Sequence, residues 1–393
     1  MMLASPATVA LGDICSPKQH PTISGAQLTE SGYPVYGANG QIGFYSSYTH
    51  TRPTIAVTCR GATCGTIHIV PALSYITGNA MALDNLDETK AELSYLAWCL
   101  RARGFQDVIS GSAQPQITGQ PLRRIKIALP ALDAQRRIAA ILDRADDLRR
   151  KRRLALEELN ALPQAIFRDM FGDPTSSDFG YETRTLQSVC TRITDGTHQS
   201  PSWSDSGIPF IFVSNVRNGE IDLHTDKFIS EALYCELTRT CPIEVGDVLY
   251  TAVGSYGHSA VINGPNRFAF QRHIAQLKPD RSQVDSAFLE TVLQSPALRR
   301  QADKAARGVA QKTVTLADLK TFLVMCPPLE LQRHFASRIA HVKGIRDLHE
   351  LAAKRFDQLF ASLQQHAFAG TLTISTAAVT LSSLQRNVQV LAV

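Results

Sequence analysis

The sequence contains no Cys-x-x-Cys pair, and its eight cysteines (Cys15, Cys59, Cys64, Cys99, Cys190, Cys235, Cys241 and Cys326) follow no regular spacing. A disulfide framework and a thiolate-built zinc site are therefore not expected, and the thiols read as free in a reducing compartment. Long apolar runs are missing too. Nothing approaches the roughly 18 consecutive apolar residues of a membrane span, and residues 1–12 have neither the basic start nor the apolar stretch of a secretory leader. A cytoplasmic chain without a membrane partner is the expectation.

Catalytic motifs are equally scarce. No Gly-Lys pair occurs, which removes the Gly-x-x-x-x-Gly-Lys-Ser/Thr phosphate loop and with it ATP hydrolysis by this chain. The Asp/Asn-Pro-Pro-aromatic tetrapeptide of stand-alone amino-methyltransferases is absent; the sole Pro-Pro, Pro327-Pro328, lies between Cys326 and Leu329. His349-Glu350 opens like a zinc-protease helix but has Ala353 where the second histidine must stand. Pro279-Asp280 is followed by Glu290-Thr291-Val292 without the lysine of the common nuclease pattern, and Gly254-Ser-Tyr-Gly257 lacks the spacing of a nucleophile elbow. No catalytic residue, resident cofactor or metal is expected in this chain.

What the chain does contain is a duplication. Sliding it by 197 residues, without a gap, lays Gly111, Ala113, Gln114, Thr118, Leu122 and Pro130 on Gly308, Ala310, Gln311, Thr315, Leu319 and Pro327. The match continues with Leu132, Gln135, Arg136, Ala139, Arg149, Leu154 and Leu162 on Leu329, Gln332, Arg333, Ala336, Arg346, Leu351 and Leu359. One offset held over about sixty residues signals a repeated unit. At 393 residues, with 44% hydrophobic and 19% charged residues, the chain suits two or three folded domains. Its net charge of +5 permits a polyanionic partner.

Short β-branched or aromatic runs punctuated by Gly, Pro and Asn fill the first 130 residues. Strands are expected at Thr54–Thr58, 66–70 and 125–129, and a helix at 91–103. A long helix follows Pro130, with Asp133 suited to its first turn. Its a and d positions are Ile138, Ile141, Ala145, Leu148, Arg152, Ala155, Leu159, Leu162 and Ile166, widened by Leu142 and Leu156. The second copy places Phe335, Arg338, Val342, Ile345, His349, Ala352, Phe356, Leu359 and Leu363 there. Pro163 is expected to kink or break the first helix; Phe360 stands at its counterpart. The run Met170-Phe-Gly-Asp-Pro174 reads as a helix stop. A second mainly β region extends to Pro328 and echoes the first: Leu11 to Cys15 matches Leu186 to Cys190, and Gly32-Tyr-Pro34 matches Gly207-Ile-Pro209, both at an offset of 175. The expected division is thus 1–130, 131–173, 174–328, 329–371 and a tail at 372–393.

Because one globular region joins the end of the first helix to the start of the second, the helices are expected to be antiparallel, with a β domain at each end and pseudo-two-fold symmetry. About 35 helical residues at about 1.5 Å each make roughly 50 Å, or about one and a half turns of B-DNA. Asp146, Arg150, Arg153 and Glu157 can face Lys354, Glu350, Asp347 and Lys343 across such a pair. Their outward heptad positions favour pairs within one helix, such as Asp146 with Arg150. Arg152 and His349 share the central a layer, where polar groups set register or meet a partner.

The loops of each β region offer amide, guanidinium and aromatic groups beside glycine. In the first these are Tyr36, Asn39, Arg60, Gly61, Gly65 and Gln114; in the second, His198, Gly254, Tyr256, Gly257, Arg272, Gln311 and Lys312. Amides and guanidinium groups can read base edges, whereas lysine and backbone N–H groups hold phosphates. The alternative for each is a hairpin turn or a core rim.

Taken together, Tyr33-Pro-Val-Tyr-Gly-Ala-Asn-Gly-Gln-Ile-Gly-Phe-Tyr45, Ile76 to Leu83, Asp195-Gly-Thr-His198, Gly207 to Phe210, Gly246-Asp-Val-Leu249 and Phe270-Gln-Arg-His-Ile274 resemble target-recognition domains. Leu129-Pro-Ala-Leu-Asp-Ala-Gln-Arg-Arg137 and Cys326-Pro-Pro-Leu-Glu-Leu-Gln-Arg-His334 resemble the starts of conserved spacer helices, and Met170 to Pro174 their exit. The whole pattern, about residues 9 to 370, resembles the specificity subunit of type I restriction-modification systems. The resemblance implies an α+β fold: two mainly-β target-recognition domains separated by a pair of long antiparallel coiled-coil helices. It implies a non-catalytic subunit that reads a bipartite, asymmetric site in double-stranded DNA and recruits two methyltransferase subunits, with restriction (translocase/endonuclease) subunits as possible further partners. S-adenosylmethionine, ATP and Mg are expected only in those partners. Arg60 to Gly65 is one residue longer than its counterpart in the second region, and the tail after Thr371 lies outside the pattern. A helical scaffold that binds partners without reading DNA is the competing expectation.

Overall fold

One arrangement of strands is used twice along the chain. The structure, a computed structural model, describes residues 7–111, 113–173, 180–217, 219–308 and 311–369. It divides into two compact units, one joining residues 7–155 to 349–369 and the other spanning 156–348, so each long helix contributes to both. The tail from 372 onward, and Pro174 of the helix exit, lie outside the described residues.

In the first unit β1 (Ala7–Ala10), β2 (Ser16–Gln19), β3 (Tyr33–Gly37), β4 (Gly40–Tyr45), β5 (Thr54–Thr58), β6 (Ile67–Val70), β7 (Tyr75–Ile76) and β8 (Ala80–Asp84) precede α1 (Leu93–Arg103) and α2 (Gly119–Arg124). Strand β9 (Lys126–Leu129) then leads into the long helix α3 (Leu132–Phe171). The strands form a four-stranded sheet β2-β8-β5-β6, a three-stranded sheet β4-β3-β7 and a ribbon β1-β9. The expected strands are present. β5 is an unbroken Thr-Ile-Ala-Val-Thr run because Ile55, Ala56 and Val57 are buried on both faces of the sheet. Helix α1 begins two residues later than expected, since Glu92 acts as its cap and its carboxylate accepts the Tyr95 N–H at 2.6 Å. The six residues of α2 are too few for a helical period to register in sequence.

The second unit holds β10 (Thr183–Thr185), β11 (Cys190–Asp195), β12 (Ile208–Ile211), β13 (Val216–Arg217), β14 (Glu220–Ile221), β15 (Phe228–Ile229) and α4 (Glu231–Thr238). These are followed by β16 (Val248–Thr251), β17 (Ser259–Val261), β18 (Ala269–Phe270), β19 (Ile274–Pro279), α5 (Ser286–Leu293), α6 (Pro296–Ala305), α7 (Leu316–Lys320), β20 (Leu323–Met325) and the second long helix α8 (Leu329–Phe368). The sheets β11-β19-β16-β17, β15-β12-β18 and β10-β20 repeat the order found in the first unit, and the β13-β14 hairpin is added. Registers coincide as well. The parallel pair Val35–Tyr75 of β3 and β7 corresponds to Phe210–Ala269 of β12 and β18, and Pro17–Leu83 of β2 and β8 to Ile193–Leu277 of β11 and β19.

Each long helix is tied to its unit by one buried glutamine. Gln135, fully buried, accepts the Glu92 N–H on Oε1 at 2.9 Å and donates from Nε2 to the carbonyls of Lys90 and Pro130, both at 2.8 Å. Gln332, also fully buried, accepts the Asp285 N–H at 2.9 Å and donates to the carbonyls of Gln283 at 3.2 Å and Pro327 at 2.8 Å. Glu92 and Asp285 cap α1 and α5, so the same side chain in both repeats fastens a long helix to a capped domain helix.

Within the first unit the α3 and α8 segments run antiparallel. Arg149 bonds Asp357 at 2.7 Å and lies over Phe360, whereas Arg152, farther along α3, lies over Phe356, earlier in α8. The buried stripe is broader than an a/d seam. Leu142, Phe360 and Ala367 join Ile138, Ala145 and Leu363 in one core with Trp98 and Tyr95 of α1, because the helices pack on the domain as well as on each other. In the second unit Phe167, Phe171, Phe288 and Phe335 form an aromatic cluster with centroids 5.1–6.4 Å apart.

Three helical expectations are corrected. Of the kink or break expected at Pro163, the break does not occur: α3 continues to Phe171, where Ile166, Phe167 and Phe171 anchor the final turns in that aromatic core. Leu162, assigned to the seam, is 39% exposed, and Arg338 is instead an exposed partner of Asp169 at 3.7 Å. The ion pairs of α3 are mostly local, as favoured, but Arg150 pairs with Asp147 rather than Asp146: Arg149 bonds Asp146, and Arg150 and Lys151 bond Asp147. Helix α3 ends as its sequence indicates, with Gly172 at φ +90°. No helix among the described residues is long and apolar enough to cross a membrane.

Candidate nucleic-acid interface

In the first unit the turns that carry the candidate residues are hydrogen-bonded into one frame. The β5–β6 loop meets the loop before α2: the Gly61 N–H donates to the Pro115 carbonyl and the Ile117 N–H to the Cys59 carbonyl, both at 3.0 Å. Ser110 and Gln116 exchange backbone bonds of 2.9 and 2.8 Å. The β3–β4 turn joins them through Thr63, whose hydroxyl lies 3.1 Å from the Ala38 carbonyl and 3.2 Å from Asn39 Oδ1. Asn39, Arg60 and Gln114 are exposed on this frame, with Gly61 and Gly65 in its backbone at φ +87° and +91°. Tyr36 stands apart, packed against the apolar cluster of Ala56, Ile76 and Ala82.

The second unit repeats the core of this frame, two crossing loops and an attached turn, with different residues. The Gly254 N–H donates to the Lys312 carbonyl at 2.8 Å, the Val314 N–H to the Ala252 carbonyl at 2.8 Å, and Arg307 and Thr313 exchange bonds of 2.9 and 2.8 Å. The β18–β19 turn is attached through the Ala252 N–H and the His273 carbonyl at 2.8 Å, as the Cys59 N–H and Asn79 carbonyl attach its counterpart at 3.1 Å. The Arg272 N–H donates to the Thr197 carbonyl at 3.1 Å, which brings the His198 turn into the group. Arg272, Gln311, Lys312 and His198 are exposed, and His198 Nε2 lies 2.9 Å from Asp195 Oδ2.

Backbone geometry explains one pair of matched glycines. Gly111 and Gly308 have φ +85° and +108°, and a Cβ there would lie 2.6 and 2.4 Å from the carbonyl oxygens of Gln114 and Gln311. Only glycine lets these loops fold back under their glutamines.

Tyr256 is not a surface reader. It is 4% exposed, its hydroxyl donates to Asp303 Oδ1 at 2.7 Å, and Arg299 lies 4.5 Å above its ring while donating to the Tyr256 carbonyl at 2.7 Å. The Asp303 carboxylate, as acceptor, pushes the Tyr256 hydroxyl pKa up, and the same bond holds the Asp303 pKa down. Tyr256, Arg299 and Asp303 thus anchor the 254–257 loop, and a side chain at Gly257 would meet Arg299 Nη1 at 2.8 Å. Neither this anchor nor Thr63 has a sequence motif; both are defined by partners distant in the chain.

Arg152 and His349 do come together. Arg152 is 7% exposed, and burial, followed by the nearby Arg152 charge, holds the His349 pKa down. His349 Nδ1 is buried, and no described residue offers it a hydrogen bond.

The geometry therefore presents, in each unit, a rigid backbone frame carrying exposed amide and cationic groups, with no nucleophile–base pair among the named residues. Such groups can make paired hydrogen bonds to base edges and charge-assisted ones to phosphates. A family model described as "Type I restriction modification DNA specificity domain" matches residues 7–158 and 179–354. The chain is 29% identical over 171 residues to the type I restriction enzyme EcoBI specificity subunit of Escherichia coli, covering 42% of this chain and 36% of that protein. It is 23% identical over 300 residues to the putative type I restriction enzyme MjaX specificity subunit of Methanocaldococcus jannaschii, covering 70% and 66%. The chain thus spans about a third of the length of the first and two thirds of the second. In fold it is similar to the S subunit of a type I restriction-modification system from M. genitalium, with a TM-score of 0.63, 14% identity and coverage of 92% and 96%. A chain from a structure on complex assembly and conformational transition of a type I system matches with a TM-score of 0.52, 19% identity and coverage of 95% and 100%. With the family model matched twice and over most of its length, this chain belongs to the type I restriction-modification DNA specificity family.

Proposed function

We propose that this chain is the DNA-reading specificity subunit of a type I restriction-modification complex, each loop frame meeting one half of a bipartite site in double-stranded DNA. The observation that carries the reading is the repeated frame with unlike side chains: Asn39, Arg60 and Gln114 in one unit, His198, Arg272, Gln311 and Lys312 in the other. Equal scaffolds with unequal readers suit an asymmetric target rather than a palindrome. The 40-residue helices α3 and α8 would set the spacing between half-sites and dock two methyltransferase subunits, with a translocating endonuclease subunit joining where the system has one. S-adenosylmethionine, ATP and Mg would belong to those partners, and this chain would perform no catalytic step.

The test is binding by the chain assembled with its methyltransferase. Arg60→Ala is expected to relax base choice in one half-site only, costing about 1–3 kcal/mol if the contact is to a base. Lys312→Ala is expected to weaken all sequences alike and to lower the salt slope by about one if its contact is to a phosphate. Site choice unchanged after both loops, 60–65 and 254–257, are disrupted would overturn the proposal, and an assembled complex without salt-dependent DNA affinity would favour a helical scaffold instead.

A further inference from the structure

Outside the loop frames, the first unit contains a histidine–carboxylate cluster that neither the duplication nor DNA reading requires. His20 follows β2, His50 lies between β4 and β5, and Asp84 closes β8. His20 Nε2 is 3.1 Å from Asp84 Oδ2 and His50 Nε2 is 2.9 Å from Oδ1, with the two rings edge-to-face at 4.9 Å. The side chains keep only 12%, 10% and 15% of their exposure, and the three donor atoms lie within 4.8 Å of one another. Two further His–Asp pairs, His198–Asp195 and His224–Asp222, have one ring on one carboxylate, with histidines 64% and 100% exposed. Those are ordinary surface pairs.

Three features suit a metal ion. Both imidazoles present Nε2 to one oxygen-bearing group, a set of two nitrogens and a carboxylate typical of zinc-type ions and poorly suited to magnesium or calcium. The His50 ring is also braced on its far side. Its Nδ1 lies 2.7 Å from Thr49 Oγ1, which accepts the Ile76 N–H at 3.0 Å and reaches the Ser74 carbonyl at 3.3 Å. With Nε2 on a metal, Nδ1–H would donate to Thr49 Oγ1 and that hydroxyl to Ser74, so every proton has an acceptor, as outer-shell support of a ligating histidine requires. Finally, a cavity of about 470 Å³ opens on the His50 and Asp84 side of the cluster, with Glu88 but not His20 in its lining, and gives room for water or a fourth donor there. The second unit has Gly196 and Lys278 at the register positions of His20 and Asp84, so the shared fold does not need the cluster.

We propose that His20, His50 and Asp84 form a zinc-type divalent metal site that clamps β2, the 46–53 loop and β8 of one repeat. The test uses the full chain, stripped with chelator and titrated with Co²⁺, followed by Zn²⁺ displacement and metal analysis. One Co²⁺ per chain is expected, with a visible spectrum of nitrogen and oxygen ligands, no thiolate band, and loss of the spectrum on adding Zn²⁺. Asp84→Asn and His50→Gln are each expected to weaken binding by about 100-fold or more, the upper range for losing even an outer-shell partner, and Thr49→Val by about tenfold. His198→Gln should leave it unchanged. Zn²⁺ should raise the thermal unfolding midpoint of the natural chain but not of Asp84→Asn, whose fold is checked by circular dichroism; His20→Gln gives a second readout if that variant misfolds. A thiolate band, equal stoichiometry in all variants, or a folded natural chain indifferent to metal would show that the cluster is only a hydrogen-bonded triad.

Discussion

Glu290, on α5, is a residue whose protonation should be felt in stability. Burial pushes its carboxyl up to about 7 from an ordinary 4.5, against the opposing effects of Gln294, Lys343 and Thr291. Between those values the folded chain keeps a proton that the unfolded chain has released. Its contribution is therefore complete below about pH 4.5 and is lost as pH rises through about 7. Glu290→Gln, which keeps the carbonyl that accepts from Gln294, should raise the thermal midpoint at pH 8 and leave it nearly unchanged at pH 4.5. Parallel midpoint–pH curves for the two proteins would contradict this. At the same scale, Asn39, Arg60, Gln114, Arg272, Gln311 and Lys312, picked out by residue type in glycine-flanked loops, are all exposed. Tyr256 was misplaced because residue type does not reveal that Asp303 and Arg299 draw it inward.

Among elements, the junction between each domain and its long helix is the most specified. Gln135→Leu leaves the Glu92 N–H and the Lys90 and Pro130 carbonyls without their buried partner. The expected cost is roughly 2–3 kcal/mol, localised to the first unit and read as faster amide exchange at Glu92 and through α1. Gln332→Leu should do the same for Asp285 and α5 while sparing α1. Exchange that accelerates equally in both units after either change would show that the clamps are not local. The 197-residue offset had already aligned these two glutamines, but what they bond could not be read from it. Pro163 teaches the complementary lesson: of the kink or break that local propensity allowed, the break does not occur, because packing of Ile166, Phe167 and Phe171 carries the helix past it.

For the whole molecule, the proposed function makes helix length a measurable property. Removing one heptad from α3 and one from α8 shortens the pair by roughly 10 Å, about three base pairs of DNA. Methylation sites in cells carrying the shortened chain should keep both half-sequences while their spacing shrinks by about that amount, or methylation should cease. An unchanged spacing would remove the helices from the measurement.

By itself the sequence determined the duplication, the two long helices, the strand-rich character of the regions before them and the lack of catalytic motifs. Each of these is written as a period, an offset or a short motif along one dimension. Tertiary structure alone decided which turns meet: Gly61 with Pro115, Gly254 with Lys312, Thr63 with Asn39. It also turned Tyr256 inward and gathered His20, His50 and Asp84 from three separate segments. Such groupings depend on hydrogen bonds and burial between residues far apart in the chain, and no local spacing encodes them.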